Sequence, residues 1–153
     1  MANIVFNIAK GRIVEYYNRV KSNDPAASAL ILVPIETSGL EADATLIDVD
    51  TLTALIAGTT NEQTTMGRKT LTDAELSALP APDDTNDRYD VSLPTVTWTA
   101  ASGNAISKIA VCYDGDTAAG TDANIIPLTM FDFAQTPSGA DIQMTTGVFF
   151  RAS

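Results

Sequence analysis

VSLPTVTWTAASGNAISKIAVCYDGDTAAGTDANIIPLTMFDFAQTPSGADIQMTTGVFFRAS, the stretch Val91–Ser153, decides the fold. Apolar residues recur in it at strand spacing, and small clusters of Gly, Pro, Ser, Asn and Asp break the pattern at short intervals. With Tyr89 just upstream, this predicts strands at Tyr89–Leu93, Val96–Ala100, Ile106–Asp114, Ile125–Ala134 and Asp141–Arg151. Turn signals separate them at 102–104, 115–117 and 137–139. Strands this short and closely spaced predict an antiparallel β-sandwich or barrel-like core. Trp98, Val111, Ile126, Phe133 and Phe149 are its expected buried residues, since each sits where apolar residues alternate.

Working outward, Ala29–Glu36 (ALILVPIE) is a continuous apolar run of strand length, hence a buried strand. Pro34 has no N–H for a ladder, so it belongs near that strand's end or beside an edge. Ala9–Lys21 places Ile13, Tyr16, Tyr17 and Val20 at helical spacing, with a strand as the rival because Ile, Val and Tyr favour sheet. Asp50 is the expected cap of a helix over Thr51–Ala57 that stops at Gly58. Thr59–Thr65 reads as a polar loop, Gly67–Thr72 as a short strand and Asp73–Leu79 as a helical turn. Leu79–Asp90 (LPAPDDTNDRYD) reads as an exposed loop. The fold class is therefore α+β, mainly β, with one or two short helices in the N-terminal half. One domain spans 1–153, with an N-terminal α/β portion (1–60) and a β-core (61–153).

Composition narrows the function. A chain of 153 residues can bury a core without disulfides or a structural metal. The longest apolar run, Ala29–Ile35, is far short of the roughly 20 residues a spanning helix needs. The opening MANIVFNIAKGR lacks the pattern of a signal peptide, and a single cysteine makes no internal disulfide. The formal net charge is −10, unevenly spread. Lys10, Arg12, Arg19 and Lys21 against Glu15 make the first 21 residues +3, while the remainder holds five basic and 18 acidic residues. So acidic a body disfavours nucleic acid, whose phosphates need Lys and Arg. The basic segment is either a solvated face or a docking face for an acidic surface, including the protein's own body.

Candidate chemistry is sparse. With no histidine, Ser-His-Asp and Cys-His arrangements are excluded. Cys112 lies in the apolar strand IAVCY and reads as a buried structural thiol, because a reactive thiolate needs a positive neighbour and access. A pair of carboxylates could serve a glycosidase, but sequence cannot choose a pair among nineteen. Asp114, Asp116 and Asp122 are the sharpest metal candidate, as a calcium site. They lack the glycine and distal glutamate of an EF-hand, and an Asx-held turn explains the same residues. Asp83, Asp84, Asn86 and Asp87 read the same way, or as a contact loop. Neighbouring tyrosines on one element point in different directions, so Tyr16 or Tyr17 is expected to be free for another subunit. With Lys10, Arg12 and Arg19 they form the expected interface within residues 1–21.

Several of these segments together resemble a known family. TWTAASG (97–103), SKIAVCYDGDT (107–117), PLTMFDF (127–133) and GVFFRAS (147–153), with GRKTLT (67–72) upstream, are similar to virion proteins of tailed bacteriophages. The resemblance covers about residues 60–153 and consists of strand and turn patterns; the DTAAGTD segment (116–122) lengthens one loop relative to it. It implies a non-enzymatic minor capsid or head-decoration subunit bound to the major capsid protein on the outer capsid surface. It also implies a homo-oligomer, a trimer first, made in the host cytoplasm and needing no cofactor, metal or membrane. A tail- or fibre-associated subunit and a host-glycan binding module are the alternatives.

Overall fold

The computed structural model describes residues 3–153. Among them the elements run β1 (Asn3–Val5), a 3₁₀ turn (Asn7–Ala9), α1 (Ile13–Lys21), β2 (Ala29–Glu36), α2 (Asp43–Leu46) and α3 (Leu52–Leu55). Then come β3 (Lys69–Leu71), α4 (Asp73–Leu76), β4 (Tyr89–Leu93), β5 (Val96–Trp98), β6 (Ile106–Asp114), β7 (Ile126–Gln135), β8 (Ile142–Met144) and β9 (Gly147–Ala152). The fold is mainly β, and its centre is an antiparallel five-stranded sheet in the order β1-β7-β6-β2-β3. The sheet is open, with β1 and β3 as its edges, so a closed barrel is excluded and a sandwich-like packing of layers is what forms.

The apolar run of β2 is explained by its place inside this sheet. Successive side chains leave a strand on opposite faces. Leu30 and Leu32 enter one core with Ile109, Val111 and Tyr113 of β6, while Ile31, Val33 and Ile35 enter a second with Ala110 and Cys112. Pro34, third from the end of β2, lies beyond the residues that pair with β3, where that side of the strand is an edge, as expected. Its carbonyl accepts from Gln63 N at 2.9 Å, on the side away from β6, and β3 pairs only with Leu30–Leu32. The missing N–H therefore faces the same loop and costs the β6 ladder nothing.

The first core is closed by α1, α4 and two β-ribbons, β4–β9 and β5–β8. Here the tyrosine expectation is corrected, because both rings are buried inside the chain. Adjacent helical residues point about 100° apart, and α1 lies between two walls. Tyr16 stacks on Tyr113 of the sheet at 4.5 Å between ring centroids. Tyr17 meets Tyr89 and Phe149 of the β4–β9 ribbon at 6.1 and 6.2 Å. Residues 1–21 are thus not a detachable arm: Ile13, Tyr16, Tyr17 and Val20 are core, and Met1 and Ala2 lie outside the described residues. From the N-terminal portion (1–60), β2 enters the central sheet between β6 and β3 of the β-core (61–153).

Trp98, Val111 and Phe149 are buried as expected, but Ile126 and Phe133 are only half-buried. Both lie toward the ends of β7, and Leu128, Met130 and Phe131 fill the middle instead. The stretch read as one strand, Asp141–Arg151, is two. The chain turns a corner at Thr145–Thr146, where Thr146 donates its backbone N–H to Thr95 Oγ1 (3.1 Å) and its hydroxyl to the Leu93 carbonyl (2.7 Å). β8 then pairs with β5, and β9 with β4.

The second core is covered by α2 and α3, which contribute Leu46, Leu52 and Leu55 beside Phe6 and Ile125. Among the described residues the N-terminal half thus holds four α-helices, α1 to α4, more than the one or two expected. Thr51, not Asp50, caps α3: its Oγ1 accepts from Ala54 N at 3.1 Å, and Asp50 lies one residue too early to do so. The helical turn after β3 forms as read, with a Thr72–Glu75 capping box at its start.

Candidate interaction surfaces

The segment 59–68, polar by sequence, reaches into the interior at Thr60 and Gln63, while Thr59, Asn61, Thr64 and Thr65 stay exposed. Gln63 is 1% exposed and satisfies its whole amide. Its Nε2 donates to the Ser102 and Asn104 carbonyls (3.1 and 3.0 Å), and its Oε1 accepts from Thr65 N and Met66 N (2.7 and 3.1 Å). Gly103, at φ +103°, allows this approach, because a Cβ there would stand 2.1 Å from Gln63 Nε2. Thr60 is buried against Glu41, which accepts from its hydroxyl at 3.1 Å. Trp98 Nε1 donates to the Gly67 carbonyl at 2.9 Å.

Arg68 closes this segment over the sheet. Its guanidinium makes paired hydrogen bonds to Glu62 (2.7 and 2.6 Å) and to Asp122 (2.6 and 2.8 Å). The hydrogen bonds from Arg68 hold the Asp122 carboxyl below its usual range. Asp122 is thereby engaged elsewhere, and the three carboxylates proposed for calcium are not brought together. Asp114 Oδ1 accepts from Asp116 N (3.0 Å), and Asp116 Oδ1 from Ala118 N and Ala119 N (3.0 and 3.3 Å), which is the Asx-turn reading. Among the described residues no group of three His, Cys, Asp or Glu stands together as a metal site. Cys112 is wholly buried, and burial pushes its thiol well above the usual range.

Lys108 is a further charged residue that the pattern reading passed over. It is 8% exposed in β6, 2.8 Å from its cross-strand partner Asp132 and 3.3 Å from Asp43. Burial works against its charge, but hydrogen bonds to the two carboxylates outweigh this and raise its pKa. A lysine inside the apolar run ISKIAVCYD is itself the signal, because such a position requires acidic partners. Arg68 and Gln63 carried no comparable signal, since Asp122 for the one and Ser102 and Asn104 for the other lie far along the chain.

Of the expected interface residues, Lys10, Arg12 and Arg19 are exposed. Arg12 and Arg19 flank Glu15 at 3.6 and 2.9 Å, and Arg12 also lies over the Tyr16 ring at 4.8 Å. Lys10 turns toward Asn7 Oδ1 (2.5 Å), and Asn7 in turn donates to Asp48. Lys21 donates to the Leu79 and Pro80 carbonyls (2.7 and 3.0 Å), so the end of α1 is docked on the Asp-rich loop.

That loop keeps largely to itself. Asp83 accepts from Thr85 N, Asn86 N and Asn86 Nδ2 (3.0, 3.2 and 2.7 Å). Beside it an open groove of about 370 Å³ is lined by Pro82, Asp83, Asp84, Asp87 and Arg88 together with the C-terminal Ala152 and Ser153. An apolar hollow of about 40 Å³ lies between Leu93, Phe131, Met144 and Phe149. On its rim stands Val148, a large hydrophobic residue 44% exposed. No helix among the described residues is long and apolar enough to cross a membrane. No protein-family model, no curated protein and no solved structure matches this chain.

Proposed function

We propose that the protein is a non-enzymatic structural subunit of a tailed-phage virion, a minor capsid or decoration protein that binds the major capsid protein on the outer shell and stabilises it. The observation that carries this reading is where the family-like residues fall. KTL is β3, VTW is β5, ISKIAVCYD is β6, IPLTMFDFAQ is β7 and GVFFRA is β9. The resemblance therefore lies in the strands that build the frame, which suits a protein whose work is to present surfaces. Its partly buried ion pairs, Arg68 with Glu62 and Lys108 with Asp132, brace the same frame. The acidic exterior keeps many copies soluble before assembly, and binding that buries surface stabilises the assembled state.

Mass spectrometry of purified particles, separated into heads and tails, tests this. The expected result is many copies in the head fraction, falling into a trimeric or other symmetric stoichiometry. Absence from particles overturns the virion reading, and confinement to tails replaces the head role by a tail or fibre role. A glycan-binding role is the second reading, and the open groove beside Asp83, Asp84 and Asp87 favours it. Screening the purified protein on a glycan array separates the two.

A further inference from the structure

Charge is missing from one part of this surface. Residues 91–107 and 142–150 contain no Asp, Glu, Lys or Arg, in a chain with 19 acidic and nine basic residues. Folding puts the two stretches together. β5 pairs with β8, the corner at Thr145–Thr146 bonds back to Leu93 and Thr95, and β9 opens with Gly147 and Val148. Val96, Trp98, Ile142 and Met144 face the core, which leaves Thr97 and Gln143 outward, joined by a hydrogen bond of 3.2 Å. Beside this neutral rim lie the apolar hollow and Val148, the one large hydrophobic residue exposed among those described. Charges at the margin are engaged elsewhere. Asp141 accepts from Ala100 N, Arg151 holds Asp90, and Asp132, next to Phe131, is turned to Lys108. Lys69 lies over the Trp98 ring at 6.0 Å.

We propose that a second copy of the chain docks on this charge-free face, with Val148 of each copy seated over the hollow of the other. An apolar centre, a neutral polar rim and depleted charge are the anatomy of an interface core. Electrostatics selects the occupant. At a formal charge of −10, two copies repel through most of their surfaces and meet at least cost where neither carries charge. A basic partner finds nothing to pair with here and is drawn to the acidic loops instead. The hollow, of about 40 Å³, is apolar and holds water weakly, and an apolar side chain that displaces such water gains affinity. Val148 and the hollow lie side by side on one patch, so the contact is isologous and closes at a pair. It rests on the homo-oligomer of the reading above, though not on the virion.

Sedimentation velocity and light scattering of the purified protein read the contact, in about 0.15 M salt where exposed charges are screened beyond roughly 8 Å. Wild type should form a concentration-dependent dimer. Val148→Asp places a carboxylate in the contact and should leave a monomer at every concentration. Ala57→Asp adds the same charge at an exposed position just beyond α3, on the other side of the sheet. It should pair as wild type does, which separates the contact from overall repulsion. Val148→Ala only trims the side chain and should raise the dissociation constant roughly tenfold. Circular dichroism checks folding, and Gln143→Glu serves in place of Val148→Asp if that variant misfolds. A monomeric or trimeric wild type overturns the proposal, as does a Val148→Asp protein that pairs as before. Loss of particle occupancy in Val148→Asp with an unchanged solution state also overturns it, and assigns the face to the capsid. Occupancy of particles by wild type is a separate measurement, so the pair can fail while the virion reading stands, and the reverse.

Discussion

Two polar segments, 59–68 and 79–90, are tied into this molecule in different ways. The first holds Thr, Asn, Glu, Gln and Arg and is anchored in the interior by Thr60 and Gln63. Gln63 bonds four backbone groups, and Arg68 ties its near neighbour Glu62 to Asp122, which lies 54 residues further along the chain from the arginine. The second holds four aspartates, and its contacts are mainly sequence-local, with Asp83 turned onto Thr85 and Asn86. Its ties to the rest run through Lys21, Tyr89 and the Asp90–Arg151 pair at its edges. The difference teaches that polarity marks a loop but does not say whether it is buried. Long-range partners decide that, because a buried amide or guanidinium is tolerated only when every donor and acceptor is met.

The comparison can be broken most severely at Gln63. Gln63→Ala leaves the Ser102 and Asn104 carbonyls and the Thr65 and Met66 N–H groups without their partner, and should cost about 3 kcal/mol. Urea unfolding measures this, and a loss below about 1 kcal/mol would show that water replaces the amide and that the segment is no interior element. Arg68→Ala comes next. Breaking a buried pair costs ~3–5 kcal/mol, but Arg68 and Asp122 are partly exposed, so about 2 kcal/mol is expected after screening.

Acid sharpens the same contrast. The Asp122 carboxyl is held below its ordinary range chiefly by hydrogen bonds from Arg68. A carboxyl depressed on folding contributes stability above its unfolded pKa, and that contribution disappears as pH falls below about 4 toward the folded value. The acid limb of a stability–pH curve should therefore be shallower in Asp122→Asn than in wild type. An unchanged slope would mean that the Arg68–Asp122 bond is absent in solution. The Asp83 carboxyl is also depressed, first by Asn86, but its partners are neighbours in sequence and can persist in the unfolded chain. The smallest effect is thus expected at Asp83→Ala, with no resolvable change in urea midpoint. A clear loss there would place the Asp-rich loop in the frame and erase the distinction between the two segments.

Much of the frame was legible along the chain. β2, β4 and β6 fall on the expected residues, because a run buried on both faces or alternating between them is a local pattern bounded by turn residues. α1 was legible from the spacing of Ile13, Tyr16, Tyr17 and Val20, although its second wall was not. The short elements were harder to see. α2 has four residues and no side-chain cap, and β1 has three, so neither leaves a periodic trace. The candidate surfaces divide in the same way. Exposure of Arg12 and Arg19 follows from helical phase alone, whereas the fate of Asp122 depended on Arg68, which no local pattern pairs with it.

What the amino-acid sequence determined by itself is the mainly β class, the central strand, the amphipathic helix and the exclusion of histidine-based chemistry. These follow from side-chain alternation and composition, which act over a few residues. Only the tertiary structure decided that Tyr16 and Tyr17 are both buried, that Thr60 and Gln63 belong to the interior, and that Arg68 pairs with Asp122. Each of these depends on which distant segment completes a contact. Burial is a property of the closed assembly of layers, and the energy that sets it is shared among residues the chain brings together only on folding.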